Sequence, residues 1–206
     1  MKKITIIDYG LGNIGSVAKM LKKIGANYKI SSSKEDIENA EKLILPGVGA
    51  FDEGVKVLNN KGYFEIIKRK VIEDKIPILG ICLGMQLLTN GSEEGIQEGF
   101  GFIDADVKHF NFAKENRLKI PHMGWNVVDI KKQDSIFSGI EREQRFYFVH
   151  SYAVSCNNDN DVLALTTYGD IFVSAFQKEN IFGAQFHPEK SHKFGINLFK
   201  NFNNKY

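Results

Sequence analysis

The run Ile78-Leu79-Gly80-Ile81-Cys82-Leu83-Gly84-Met85-Gln86 constrains the fold of this sequence more than any other feature. An apolar stretch leads into G-x-C-x-G, and residues suited to a helix follow. The spacing is that of a nucleophile elbow with cysteine in place of serine. A side chain on so sharp a strand-to-helix turn sits on strained backbone. Its neighbours crowd one another unless they lack a Cβ, as Gly80 and Gly84 do. The following helix points its N-terminus at the sulfur, where partial positive charge favours thiolate. The amide of Leu83 is then free to face an oxyanion. The competing reading is a buried core cysteine packed between glycines, because free cysteine is usually buried and inert. Gln86, a polar residue one turn into the helix, favours the functional reading.

A buried strand feeding a helix belongs to an α/β fold, and the first half of the chain repeats that alternation. Residues 3–7 form a β-rich run. Ile14, Val17, Ala18, Leu21 and Ile24 then follow helical spacing, and Gly25 suits that helix's end. Strands are expected at 28–31, 43–45 and 77–81, and helices at 33–39, 52–59, 63–73 and 83–89. The second half reads as closely spaced strands at 100–110, 120–130, 145–156, 162–167, 171–177 and 181–186. Short connections there call for antiparallel additions. An amphipathic helix over 191–203 closes the chain. With no repeat and no linker-like composition, we expect one α/β domain over residues 1–206. Its mostly parallel, mixed central sheet is flanked by helices in three layers.

Composition narrows the function classes. A net charge of +2 gives no basic field for nucleic acid or a membrane surface. Aromatics are 12% of residues, mostly Phe scattered through apolar segments, which fits core packing rather than a base-stacking platform. Cys82 and Cys156 are too few and too differently placed to staple a secreted mini-domain. The N-terminus lacks a signal-peptide pattern, and no apolar run can span a bilayer, so a cytoplasmic location is expected.

A cysteine nucleophile needs a base that takes its proton and later returns one to the leaving amine. Residues 185–191 read Gln-Phe-His-Pro-Glu-Lys-Ser. His187 follows an apolar strand, Pro188 fixes a turn, and Glu189 could hold the imidazole's tautomer and support its charged form. His109, His122, His150 and His192 compete as bases, and His122 and His150 lie in unusual clusters of their own.

G-I-C-L-G-M-Q with a distant H-P-E resembles the class I, or triad, glutamine amidotransferases. That resemblance implies a triad in which Cys82 attacks the glutamine amide, His187 shuttles the proton and Glu189 orients His187. It implies no cofactor and no metal. Other segments extend it almost end to end: Asp8-Tyr9-Gly10-Leu11-Gly12-Asn13, Pro46-Gly47-Val48-Gly49, Pro121-His122-Met123-Gly124-Trp125-Asn126 and Tyr147-Phe148-Val149-His150-Ser151-Tyr152. Together they resemble the family members that feed ammonia to a (β/α)8-barrel cyclase in histidine biosynthesis. By that resemblance Val48 and Leu83 supply the oxyanion amides. Gly47, Gly49, Gln86, Ser151 and Tyr152 hold L-glutamine. Met123, Trp125, Tyr147 and Lys190 face the cyclase in a heterodimer.

Two features point elsewhere. Gly10-Leu11-Gly12-Asn13-Ile14-Gly15 satisfies G-x-G-x-x-G, the mark of dinucleotide-binding domains. The acidic ribose ligand that should end the second strand is missing, because that strand runs into Ile30-Ser31-Ser32-Ser33. Ala105, and the tail His192-Lys193-Phe194-Gly195, look more like paralogues that serve amidotransferases of bacterial surface sugars.

Overall fold

The expected alternation forms the first half of the structure. The computed structural model describes residues 2–111, 118–139 and 143–206. In order come β1 (Ile4–Ile7), α1 (Ile14–Lys23), β2 (Tyr28–Ser31), α2 (Lys34–Glu38), β3 (Lys42–Gly47), α3 (Phe51–Asn60), α4 (Phe64–Ile72), β4 (Ile78–Cys82) and α5 (Leu83–Leu87). Gly25, at φ +70°, ends α1 with its amide on the Lys22 carbonyl. The second half adds β5 (Gly91–Ser92), β6 (Ala105–His109), β7 (His122–Ile130), β8 (Glu143–His150), β9 (Tyr152–Cys156), β10 (Val162–Tyr168), β11 (Asp170–Lys178), β12 (Ile181–Ala184) and α6 (His192–Lys205).

These strands build one mixed sheet in the order β2-β1-β3-β4-β12-β11-β10-β7-β8, with β9, β6 and β5 branching from β11. The β2-β1-β3-β4-β12 half is parallel, as βαβ crossovers require. From β12 outward the pairs are antiparallel, as the short connections demand. Side chains alternate across the parallel half, so the sheet packs on both faces. Ile4, Ile6, Ile44 and Ile81 meet α1 and α6 through Val17, Leu21, Leu198 and Phe202. Ile7, Leu43, Leu45 and Ile78 meet α2 to α5 through Ile37, Val55, Ile67 and Met85. Each such fully buried side chain contributes about 1.5–3 kcal/mol. The three-layer α/β arrangement is therefore the expected one. The described phenylalanines pack in or against the core: Phe146 stacks on Phe186 at 3.9 Å, and Phe182 meets Phe202 edge-on.

Two expected strands are shorter than their sequence pattern. The run 100–110 pairs only as β6. Upstream, the amides of Phe100 and Phe102 bond the carbonyls of Leu87 and Leu88, so this segment closes the end of α5 instead of joining a ladder. The run 145–156 divides at Ser151. Before it, β8 pairs with β7; after it, β9 pairs with β6 and β11. Among the described residues, no helix is long and apolar enough to cross a membrane.

The topology also sets the position of the candidate site. β12, the last strand in chain order, runs parallel to β4, with Ala184 opposite Ile81. Cys82 and His187 therefore leave the same sheet edge side by side. The carboxyl ends of parallel strands are where open α/β sheets place ligands.

Candidate active site

Cys82 has φ 55° and ψ −112°, a conformation that costs a non-glycine residue about 1–3 kcal/mol. Close packing enforces it. A Cβ on Gly80 would lie 2.5 Å from the Gly84 carbonyl oxygen, and one on Gly47 would lie 2.5 Å from the Tyr9 hydroxyl and 2.8 Å from the Gly84 nitrogen. Gly84 itself abuts the Leu45 carbonyl. The glycines thus let β3, β4 and the start of α5 converge beneath the sulfur.

His187 Nδ1 and Glu189 Oε1 are 2.7 Å apart, with side-chain exposures of only 1% and 2%. The turn is pinned from behind. The His187 amide donates to the Tyr147 carbonyl at 2.8 Å, and the Ser191 hydroxyl donates to the His187 carbonyl at 2.6 Å while accepting from the Tyr147 amide. Burial opposes a charge on His187, but the neighbouring Cys82 and Glu189 outweigh it and hold the imidazole pKa well above its ordinary range. Among the described residues, His187 Nε2 has no nitrogen or oxygen partner, and Cys82 is the neighbour that acts on it.

Cys82 and His187 share a cavity of about 340 Å³. Val48, Gly49, Leu83, Gln86, Ser151 and Tyr152 line it as well. Gly47 does not; it lies behind the wall against Tyr9 and Gly84. Three further groups in or beside the cavity were not singled out as site residues from the sequence. The Gln185 amide points at the Cys82 sulfur at 3.9 Å and accepts from Gln86 at 3.1 Å. The Val149 carbonyl lies 3.9 Å from the same sulfur. Glu94 brings a carboxylate to the cavity wall and accepts the Phe51 amide at 2.8 Å. Gln185 stands two residues before His187, so proximity to a candidate base was the one available hint.

The competing histidines are placed differently. His109 stacks edge-on against Tyr152, and His192 lies over Trp125 at the surface. His150 lines the cavity, but both its ring nitrogens are engaged, by the Tyr152 carbonyl and by His122. A larger hollow of about 650 Å³ opens among β6, β9, β10 and β11, and it includes Cys156 but neither Cys82 nor His187. Burial, followed by Asp161, Asp159 and Asp104, pushes the Cys156 thiol up to about 12. The smaller cavity brings the candidate nucleophile Cys82 and the candidate base His187 together, which makes it the candidate site. A Cβ on Gly12 of the glycine-rich turn would lie 3.2 Å from the Pro46 carbonyl oxygen, so the turn packs closely on the end of β3.

Met123 and Trp125 point outward from β7, 62% and 45% exposed. Tyr147, opposite Trp125 in register, meets it edge-on, and Lys190 Nζ sits 5.7 Å from the Tyr147 ring. These four residues form one surface patch adjoining His187, whose amide is held by Tyr147.

Residues 5–205 match the family model described as glutamine amidotransferase class-I. Among similar proteins, the imidazole glycerol phosphate synthase subunit HisH 2 of Pseudomonas aeruginosa is 51% identical over 97% of this chain and 98% of its own. The HisH 2 subunit of Methanococcus maripaludis is equally similar over the same shares. The HisH subunit of Leptospira borgpetersenii is 43% identical over 97% of this chain and 98% of its own. In fold, the chain resembles a solved glutamine amidotransferase with a TM-score of 0.74, 19% identity and 96% coverage of each chain. It also resembles PurLQS of Thermotoga maritima, with a TM-score of 0.72, 19% identity and 98% coverage of each. The elbow at Cys82, the H-P-E turn and this match along nearly the whole chain lead to one assignment: the protein belongs to the class I glutamine amidotransferases.

Proposed function

We propose that this chain is the glutaminase subunit of an imidazole glycerol phosphate synthase, releasing ammonia from L-glutamine for a cyclase partner. The observation that carries the chemistry is the shared cavity of Cys82 and His187, with Glu189 on the far ring nitrogen. In this reading Cys82 Sγ attacks the side-chain amide carbon, and the oxyanion that forms is met by the amides of Val48 and Leu83. His187 gives its Nε2 proton to the amide nitrogen. The C–N bond breaks, ammonia departs and a thioester remains. Water then attacks the thioester, His187 takes its proton, and the C–S bond breaks to free glutamate and the thiolate. Glu189 keeps the imidazole oriented and supports its charge. Gly49, Gln86, Ser151 and Tyr152 hold the substrate, with Gly47 shaping the wall from behind. The Glu94 carboxylate suits the ammonium of a free amino acid. The whole of residues 1–206 acts as one amidotransferase domain, in the cytoplasm.

Ammonia released into neutral water becomes ammonium, which is not nucleophilic, so the product must pass directly to a partner. The patch of Met123, Trp125, Tyr147 and Lys190 beside the cavity supports a docking face there, and a (β/α)8-barrel cyclase is its proposed occupant in a one-to-one complex. An aromatic anchor in a desolvated contact is a typical hot spot. One observation favours a second reading. The relatives at 50–51% identity carry copy numbers, whereas the Leptospira proteins at 42–43% do not. A numbered copy could serve a different ammonia acceptor, such as a surface-sugar amidotransferase. Mixing the chain with each enzyme from the same cell decides between them. Glutamine-dependent synthesis of imidazole glycerol phosphate is the expected result. Coupling to the sugar enzyme alone would overturn the pathway and leave the glutaminase chemistry.

A further inference from the structure

His122 and His150 form a buried pair outside the triad, with exposures of 3% and 7%. The hydrogen-bonding groups around them define both tautomers. The Tyr152 carbonyl can only accept, so His150 donates to it from Nδ1 at 2.8 Å. A neutral His150 then has a lone pair on Nε2, and His122 donates to it from Nδ1 at 3.1 Å. His122 Nε2 is left as an acceptor, and the Asn126 amide nitrogen supplies its proton at 3.3 Å. Asn126 is itself oriented, because its nitrogen also donates to the Thr167 carbonyl and its oxygen accepts the Val127 amide. Each donor in this chain meets an acceptor with both rings uncharged.

The chain ends on the glutamine cavity. The Tyr152 carbonyl accepts a second bond, from Gln86 at 3.2 Å. The same Gln86 nitrogen donates to Gln185, whose amide reaches the Cys82 sulfur. With both lone pairs of the Tyr152 carbonyl in use, the peptide that bounds the cavity has one orientation. At the other end, β7 turns His122 inward and Met123 outward, so the relay begins on the strand that carries the proposed docking patch.

We propose that His122 and His150, both neutral and both protonated on Nδ1, are positioning residues that fix the Ser151–Tyr152 wall and Gln86 for glutamine. The assignment of a substrate to this wall rests on the glutaminase reading above; the tautomers do not. The surroundings suit neutral rings. Tyr168 and Phe148 stack on His122 at 4.0 and 4.8 Å, and Phe172 stands against both rings. Burial lowers the His122 pKa to about 4. Burial lowers that of His150 to about 3, with His122 and His187 adding repulsion against the bond to Tyr152.

The first test is ring-nitrogen NMR of the wild-type chain labelled at histidine. For these two residues it should show a protonated Nδ1 and a bare Nε2, the reverse of the tautomer favoured in water, unchanged between pH 5 and 8. An Nε2–H tautomer on either ring, or titration near pH 6.5, would overturn the proposal. This measurement needs no turnover, so it stands even if glutamine is not the substrate. The second test is kinetic. His150→Leu should raise the KM for glutamine about tenfold or more, with the loss falling on KM rather than kcat. His150→Asn keeps a donor near the Nδ1 position and should recover most of that KM. A collapse of kcat at unchanged KM would make His150 a catalytic group. An unchanged KM in folded His150→Leu would leave it a packing residue. Either result refutes the positioning role. If wild type shows no glutaminase activity while the tautomers are as stated, the glutaminase reading fails and the relay's geometry survives.

Discussion

Gly80→Ala tests the elbow most directly. A Cβ on Gly80 would meet three backbone atoms of the following helix: the Gly84 oxygen at 2.5 Å, the Gly84 carbon at 2.7 Å and the Met85 α-carbon at 2.8 Å. Ordinary contact begins near 3.4 Å, so the start of α5 must retreat from β4 by about 0.9 Å. Nothing there is a flexible side-chain end that could swing aside. Overpacking of this kind costs about 1–3 kcal/mol. In a chain of this size each kcal/mol lowers Tm by about 2–4 °C, which predicts a loss of about 2–12 °C. The shift carries Cys82 and the Leu83 amide with it, and a misplacement of about 1 Å costs on the order of 100-fold in turnover. Calorimetry and a coupled glutamate assay read the two effects. Gly15→Ala is the control, since a Cβ there meets nothing within 4 Å in an exposed position of α1. It should stabilise by about 0.4–1 kcal/mol. A Gly80→Ala protein with wild-type Tm and wild-type glutaminase activity would refute the packing account of the elbow.

Further outcomes follow from the same geometry. A glutamine-analogue electrophile should label Cys82 and leave Cys156 unmodified, as mass spectrometry of the digested protein will show; Cys82→Ala should then abolish both labelling and activity. His187→Ala should cost orders of magnitude in kcat and Glu189→Gln distinctly less, because an orienting carboxylate is partly replaceable and a proton shuttle is not. Trp125→Ala should weaken cyclase binding by about 2 kcal/mol, roughly 30-fold in Kd by calorimetric titration, with Tm preserved. The unfolded chain protonates His122 and His150 near pH 6.5, whereas the fold resists until about 4 and 3. Stability should therefore be full above pH 6.5 and fall as pH drops toward 4, by at most about 1.4 kcal/mol per unit for each ring. Urea midpoints across that range check the slope, and a flat profile would contradict the buried neutral pair.

The sequence by itself determined whatever rests on local spacing. Two glycines around Cys82 called for an elbow, and the elbow called for a buried strand, a helix and an α/β sheet. Helical spacing from Ile14 to Ile24 with Gly25 behind it marked α1, because caps and amphipathic faces are read from neighbours a few residues apart. Tertiary structure decided what depends on strands meeting. The H-P-E motif named His187 by resemblance, but nothing near residue 187 says that β12 will pair with β4, so the meeting of His187 and Cys82 in one cavity follows from the sheet order. The run 145–156 looks continuous because β-propensity does not register that Ser151 sits where the chain changes partners. Gln185, Glu94 and the Val149 carbonyl reach the cavity through long-range pairing and were not singled out as site residues from the sequence. The neutral His122–His150 pair is the clearest case. Its tautomers follow from which atoms lie across β7, β8 and β9, and burial sets its charge state, so neither property exists until the sheet has closed.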